Sequence, residues 1–245
     1  VNLGSAYVRL GRYEDSEKLL LEAKEVFQKA AATDSPEYVL CLYNLALLYD
    51  MQGQVGQAEP LYRKVIDSLS SRESLGRDYA ASINNLATLR LSQHDLDGAR
   101  RLFGEARAAF EKTTGTATTD YAWALNNLAL VEQKAGNLAR ADSLLAASLA
   151  LRERVVGRQH PDYANNLEDL AALRQQQGRP QEALKLHLES LQLFEKTFGK
   201  KHPRYEECLR NLAILHQKQN NAALAAPLFE EANTLRRELM AQSTR

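Results

Sequence analysis

The chain has 245 residues, with 31 basic and 31 acidic side chains and a formal net charge of zero. An apolar share of 44% is ample for a buried core, and a charged share of 25% is ordinary for a soluble protein. The charge balance speaks against nucleic acid or an anionic membrane as partner, and no apolar run approaches the ~18 residues of a membrane span.

Taken in order, one short signature recurs. It appears as Asn2-Leu3-Gly4, Asn44-Leu45-Ala46-Leu47, Asn84-Asn85-Leu86-Ala87, Asn126-Asn127-Leu128-Ala129, the variant Asp169-Leu170-Ala171, and Asn211-Leu212-Ala213. The small residues Gly4, Ala46, Ala87, Ala129, Ala171 and Ala213 are spaced 42, 41, 42, 42 and 42 apart. A fixed period in this range means a repeat array. Seven residues after the small residue stands Gly11, Gly53, Gly136 or Gly178, with His94 and Asn220 in two copies. Twelve after it stands Ser16, Ala58, Ala99, Ala141, Ala183 or Ala225. Each copy therefore reads as a helix, a turn at the Gly and a second helix. The small residues allow close approach, and a Leu there would overpack the contact by about 1–3 kcal/mol.

The predicted units are residues 1–35, 36–76, 77–118, 119–160, 161–202 and 203–241. The first opens mid-helix at Val1, turns at Gly11-Arg12 and runs a second helix over Tyr13–Ala31. The chain is accordingly read as a piece of a longer protein, and a missing leader carries no weight. Pro36, Pro161, Pro180 and Pro203 are expected at helix starts, where the absent N–H has no intrahelical partner. Pro60 and Pro227 fall within the first two turns of their helices. Gly115, Gly157 and Gly199 sit where a left-handed C-cap is wanted. Tyr38, Tyr79, Tyr121, Tyr163 and Tyr205 mark successive helix starts and read as wedges between repeats. The tail from Ala241 is expected to fray.

The order Asn-Leu-Ala, Gly, Ala resembles a tetratricopeptide repeat, and the longer period resembles the kinesin light chain type. The connectors Gly157-Arg158-Gln159-His160-Pro161-Asp162-Tyr163 and Gly199-Lys200-Lys201-His202-Pro203-Arg204-Tyr205 are similar to those of that subfamily. The resemblance implies an all-α, right-handed α-solenoid of about six helix-turn-helix repeats, forming a single domain. A HEAT-type array has a similar period but would not place Gly and two small residues at these offsets.

Signatures of catalysis are missing from the sequence: it has no phosphate loop, HExxH, CxxC or GxSxG. No enzyme activity, cofactor or metal is expected. His160 and His202 read as caps, and His187 as a core histidine. Cys41 and Cys208 occupy the same point of their repeats, which speaks against a bridge and weakly for a reducing, cytoplasmic setting.

The concave side, lined by first helices, is the expected binding surface. Asn44, Asn85, Asn127 and Asn211 form a ladder there, with Tyr43, Asn84, Asn126 and Arg210 one place earlier. In the resembling families, Asn at this position contacts bound peptide backbone. The match fails at Asp169. A carboxamide offers two donors and an acceptor, suited to an extended peptide. Leu47, Leu91, Trp123 and Leu130 are candidates for apolar side chains, and Lys134, Arg210 and Lys218 for acidic ones. The same asparagines can instead bond neighbouring repeats. Three functional readings follow: a scaffold binding a protein or peptide ligand, the sensor region of a larger bacterial effector with a caspase-like (CHAT) domain, and self-association through the end repeats. The second rests on the likeness of Glu230–Leu239 to the final repeat before such domains.

Overall fold

A computed structural model describes residues 2–9, 12–70 and 76–243. All regular structure among them is helical: α1 Asn2–Arg9, α2 Tyr13–Lys29, α3 Pro36–Met51, α4 Val55–Ser70, α5 Arg77–Ser92, α6 Leu96–Thr113, α7 Thr119–Lys134, α8 Leu138–Val156, α9 Pro161–Gln176, α10 Pro180–Phe198, α11 Pro203–Lys218 and α12 Ala222–Ser243. They divide into two compact units, residues 1–115 and 116–245. Within each unit, helices pair as hairpins, and each hairpin packs on the next.

The hairpin turn is the same device six times. The N–H eight places after the small residue donates to the carbonyl three places after it: Arg12 to Tyr7, Gln54 to Tyr49, Asp95 to Arg90, Asn137 to Glu132, Arg179 to Arg174 and Asn221 to His216, at 2.7–3.0 Å. Closing that bond requires a left-handed residue between, the usual helix C-cap geometry. Gly53, Gly136 and Gly178 supply it, and so do His94 (φ 62°) and Asn220 (φ 59°). The expected turn residue Gly11 lies outside the described residues, as do residues 71–75 closing the second repeat. Pro36, Pro161, Pro180 and Pro203 open their helices as expected, and Pro60 and Pro227 lie inside α4 and α12. His160 and His202 are caps: each Nδ1 accepts the backbone N–H two residues on.

One boundary differs from expectation. α2 ends at Lys29, because Ala31 turns left-handed (φ 51°) and cannot continue the helix. α12 runs to Ser243, and the last two residues of the tail expected to fray lie outside the described residues.

Helix approach follows the small residues. Ala46, Ala87, Ala129, Ala171 and Ala213 are 0% exposed, as are Ala58, Ala99, Ala141 and Ala183. At Gly4 even a Cβ would come within 2.7 Å of Leu20. Leu20 belongs to a column sixteen places after the small residue. That column continues as Tyr62, Phe103, Leu145 and His187, all at most 1% exposed.

Repeats are joined by three recurring contacts. Five places before the small residue, Cys41 and Asn166 donate to the carbonyls of Leu20 and Leu145 in the preceding hairpin, and Cys208 Sγ lies 3.5 Å from the His187 carbonyl. The tyrosine wedges form a second contact. Tyr38 packs edge-on against Phe27 of α2, and Tyr163 and Tyr205 lie in one apolar cluster with Phe194 and Leu209, whereas Tyr79 and Tyr121 are only partly buried. In the third, the residue three places after the small one bonds the preceding second helix: Tyr49 to Glu17 (3.0 Å), Arg90 to Glu59, and Arg174 to Asp142 (2.7 Å). Arg90 and Arg174, which replace tyrosine in later repeats, are thus paired, whereas the buried Nδ1 of His216 at the same place has no hydrogen-bond partner among the described residues. Glu132, 0% exposed, accepts from Asn137 at 2.7 Å within its own hairpin.

Candidate functional site

The most built concavity lies in residues 116–245. First helices α7, α9 and α11 turn their −6 and −2 positions to the cavity, because residues four apart lie on one face of a helix with 3.6 residues per turn. They enclose a cavity of about 440 Å³. Its walls carry Trp123, Asn126 and Asn127 from α7, Asn165, Glu168 and Asp169 from α9, and Arg204, Glu207 and Asn211 from α11. Second helices supply the floor, with Arg152 from α8 and Phe194 from α10. A second cavity, about 310 Å³, holds Gln133, Gln175, His187, Asn211, Ile214 and Lys218.

The walls are tied together across repeats. Asn126 Nδ2 donates to Asp169 Oδ2 at 2.8 Å, and Asn211 Nδ2 donates to Glu168 Oε2 at 2.8 Å. Arg152, 7% exposed, donates to the backbone carbonyl of Asp162, and burial lowers the pKa of its guanidinium. Burial also pushes the Asp169 carboxyl up, against the pull of Asn126 and Arg152. For Glu168 the balance is reversed. Burial alone would raise it, but hydrogen bonds and charge from His187, with further donation from Cys208 and Asn211, hold it below the usual range. His187 is the buried core histidine expected, 1% exposed, but its Nδ1 meets Glu168 at 3.0 Å and its Nε2 faces the Gln175 amide at 3.0 Å. The Cys208 thiol donates to Glu168 Oε1 at 2.8 Å, and burial drives its pKa far up.

The expected ladder does not present itself uniformly to solvent. Asn127 and Asn211 are partly exposed, and with Trp123 and Asn126 they line the main cavity. In the first unit, Asn44 is 7% exposed and gives its Nδ2 to Leu40 O of its own helix (2.8 Å), while Asn85, 8% exposed, donates to the Tyr43 hydroxyl (3.3 Å). Asn84 is fully buried. Leu91, expected to receive a guest, is only 9% exposed, because it lies four places after Ala87 and so shares the face that packs on α6. Leu47 is half-buried and Leu130 is exposed. Among the three cations, Lys218 lines the second cavity, and Lys134 is exposed but lines neither cavity of this unit. Arg210 is drawn aside by Glu206 (2.7 Å) and Asn233 of α12 (3.1 Å).

Sequence reasoning missed Glu168, Arg152 and the meeting of His187 with Cys208. One signal was available: His187 stands in a column otherwise filled by Leu20, Tyr62, Phe103 and Leu145.

The family profile described as a tetratricopeptide repeat matches residues 1–71, 78–142, 120–185 and 164–238. The chain belongs to the tetratricopeptide repeat family, whose members generally mediate protein–protein interactions on a fold that is typically non-catalytic. Among solved structures, BtubC (BKLC) from P. vanneervenii is similar at 20% identity and a TM-score of 0.73, over 94% of this chain and 92% of that one. The TPR-like repeats of a putative kinesin light chain from Podosopora anserina match at 23% identity and a TM-score of 0.65, over 83% and 97%. Pseudomonas aeruginosa pilF matches at 20% and 0.60, over 97% and 95%. At these identities the likeness shows the fold, an α-solenoid of kinesin light chain-like repeats. No curated protein matches the sequence. No helix among the described residues is long and apolar enough to cross a membrane.

Proposed function

We propose that this chain is a non-catalytic interaction scaffold whose 116–245 unit holds an extended peptide segment of a partner protein along α7, α9 and α11. The observation that carries this reading is the 440 Å³ cavity, where an aromatic face (Trp123) stands beside the carboxamides of Asn127, Asn165 and Asn211. A carboxamide pairs with backbone N–H and C=O alike, so such a wall accepts a peptide without dictating its side chains. The carboxylates Asp162, Glu168, Asp169 and Glu207 outnumber Arg152 and Arg204 there, which suits a basic or amide-bearing residue of the guest. Lys218 in the second cavity suits an acidic residue further along. The repeat period runs unbroken past residue 115, which supports treating the six repeats as one array. The free, buried thiols of Cys41 and Cys208 support a reducing, cytoplasmic setting.

The test is capture of a random extended-peptide library by the whole chain, followed by titration of the retained peptides. Trp123→Ala with Asn127→Ala should weaken binding by at least tenfold and leave thermal unfolding nearly unchanged, while Asn44→Ala should leave affinity intact. Retained peptides that bind the double variant as tightly as the parent would sink the reading.

A further inference from the structure

The side chains of Glu168, His187 and Cys208 come from α9, α10 and α11, and their ligand-type atoms all lie within 4.8 Å of one another. We propose that they form a binding site for a borderline divalent transition metal of the zinc type, which ties repeat five to repeat six beneath the cavity.

Three observations support it. The first is donor chemistry. A thiol, an imidazole and a carboxylate are the side chains that zinc takes, and three protein ligands with an open fourth place is a common arrangement. The second is geometry. Zinc-to-ligand lengths of about 2.0–2.3 Å set neighbouring ligand atoms about 3.3–3.8 Å apart on a tetrahedron. Here the carboxylate lies 2.8 Å from Sγ and 3.0 Å from Nδ1, and all three ligand atoms lie within 4.8 Å of one another, so shifts of about 1 Å bring them to these spacings. The third is register. Packing alone asks for an apolar residue at position 187, as the counterparts Leu20, Tyr62, Phe103 and Leu145 show. Cys41, the counterpart of Cys208, has no such partners in register: the positions 40 and 21 places before it, filled by Glu168 and His187 for Cys208, are Val1 and Leu20, and its thiol donates to Leu20 O.

The charges close. In the metal-free network, Glu168 accepts from the thiol, the imidazole and the Asn211 amide. On binding, Cys208 Sγ gives up its proton to solvent. His187 binds through Nδ1 as the neutral imidazole, releasing the Nδ1 proton and keeping Nε2–H toward the Gln175 amide, which turns its oxygen to accept. One carboxylate, one thiolate and one dication sum to zero, so no net charge is buried. The fourth place faces the cavity that Glu168, Cys208 and Asn211 line, and this gives the ion its path in and room for a water.

The experiment is titration of the whole reduced chain with Co²⁺, read by d–d absorption and thiolate-to-metal charge transfer, then competition with Zn²⁺. One ion per chain should bind with a charge-transfer band that Zn²⁺ abolishes. Cys208→Ser should lose the band and Cys41→Ser should keep it. Glu168→Gln should weaken binding by at least about tenfold. Circular dichroism of each metal-free variant checks folding. If Cys208→Ser does not fold, His187→Leu, which restores the residue type of that column, takes its place and should abolish tight binding. The absence of a band in the parent, its survival in Cys208→Ser or in folded His187→Leu, or its loss in Cys41→Ser would overturn the proposal.

Discussion

The two compact units share a backbone plan and differ in what two columns of side chains do with it. In residues 1–115, the column sixteen places after the small residue is Leu20, Tyr62 and Phe103, and the −3 position is Tyr43 or Asn84. Tyr43 sits edge-on to Tyr62 with centroids 6.3 Å apart and accepts from Asn85, so asparagine there is part of an aromatic seam. In residues 116–245, the same positions are Leu145, His187 and Phe229, and Asn126, Glu168 and Arg210. Asparagine there bridges carboxylates, and the wall opens into a polar cavity. The lesson is that the repeat signature fixes helix packing, whereas one or two positions outside it decide whether a face is sealed or receptive.

The largest effect separating the units should come from the buried column itself. Phe103→Ala removes an aromatic side chain that is 1% exposed and should cost about 3–5 kcal/mol, read by urea unfolding. His187→Leu, which brings the first unit's residue type into the second, should cost less, about 1–3 kcal/mol, because Glu168 loses a buried donor. Adding Glu168→Tyr removes the carboxylate left one donor short and should recover most of that loss. A double variant no more stable than the single one would show that the columns are not interchangeable.

A middle-sized effect should come from the clamp between Arg174 and Asp142, which has partners of equal register in Arg90 and Glu59. Arg174→Ala should cost about 1 kcal/mol at low salt, and less at high salt. The hydrogen bond from Arg174 is the main cause holding the Asp142 carboxyl below its usual value. A carboxyl lowered in the folded state contributes stability above its unfolded value, about 3.9, and loses it as pH falls through the folded one. The gap between parent and Arg174→Ala should therefore be full at neutral pH and close on acidification. A gap independent of pH would mean that the guanidinium acts by packing alone.

The smallest contrast is between two asparagines of the same ladder. Asn44→Ala loses a buried bond to its own helix and should cost about 0.5–1.5 kcal/mol. Asn127→Ala, on the cavity wall, should change thermal unfolding little. Equal losses would mean that both serve the fold.

Much of this molecule was legible in the period. Left-handed turns recur at fixed offsets because the helix C-cap is a local backbone requirement, and His94 and Asn220 obey it without glycine. Small residues recur because two helices cannot approach closely otherwise. The site was half legible: Trp123, Asn126, Asn127 and Asn211 do line one cavity, while Asn44, Asn85 and Leu91 proved buried, since a face assigned by helical period says nothing about the neighbour that covers it.

The sequence by itself determined the hairpins, their turns and their stacking residues, because these depend on contacts within about one repeat. Only the tertiary structure decided that Glu168, His187 and Cys208 meet. They stand 19 and 40 positions from Glu168, inside one repeat period, but the period assigns helices and faces only, and contact between these side chains depends on how three helices lean together.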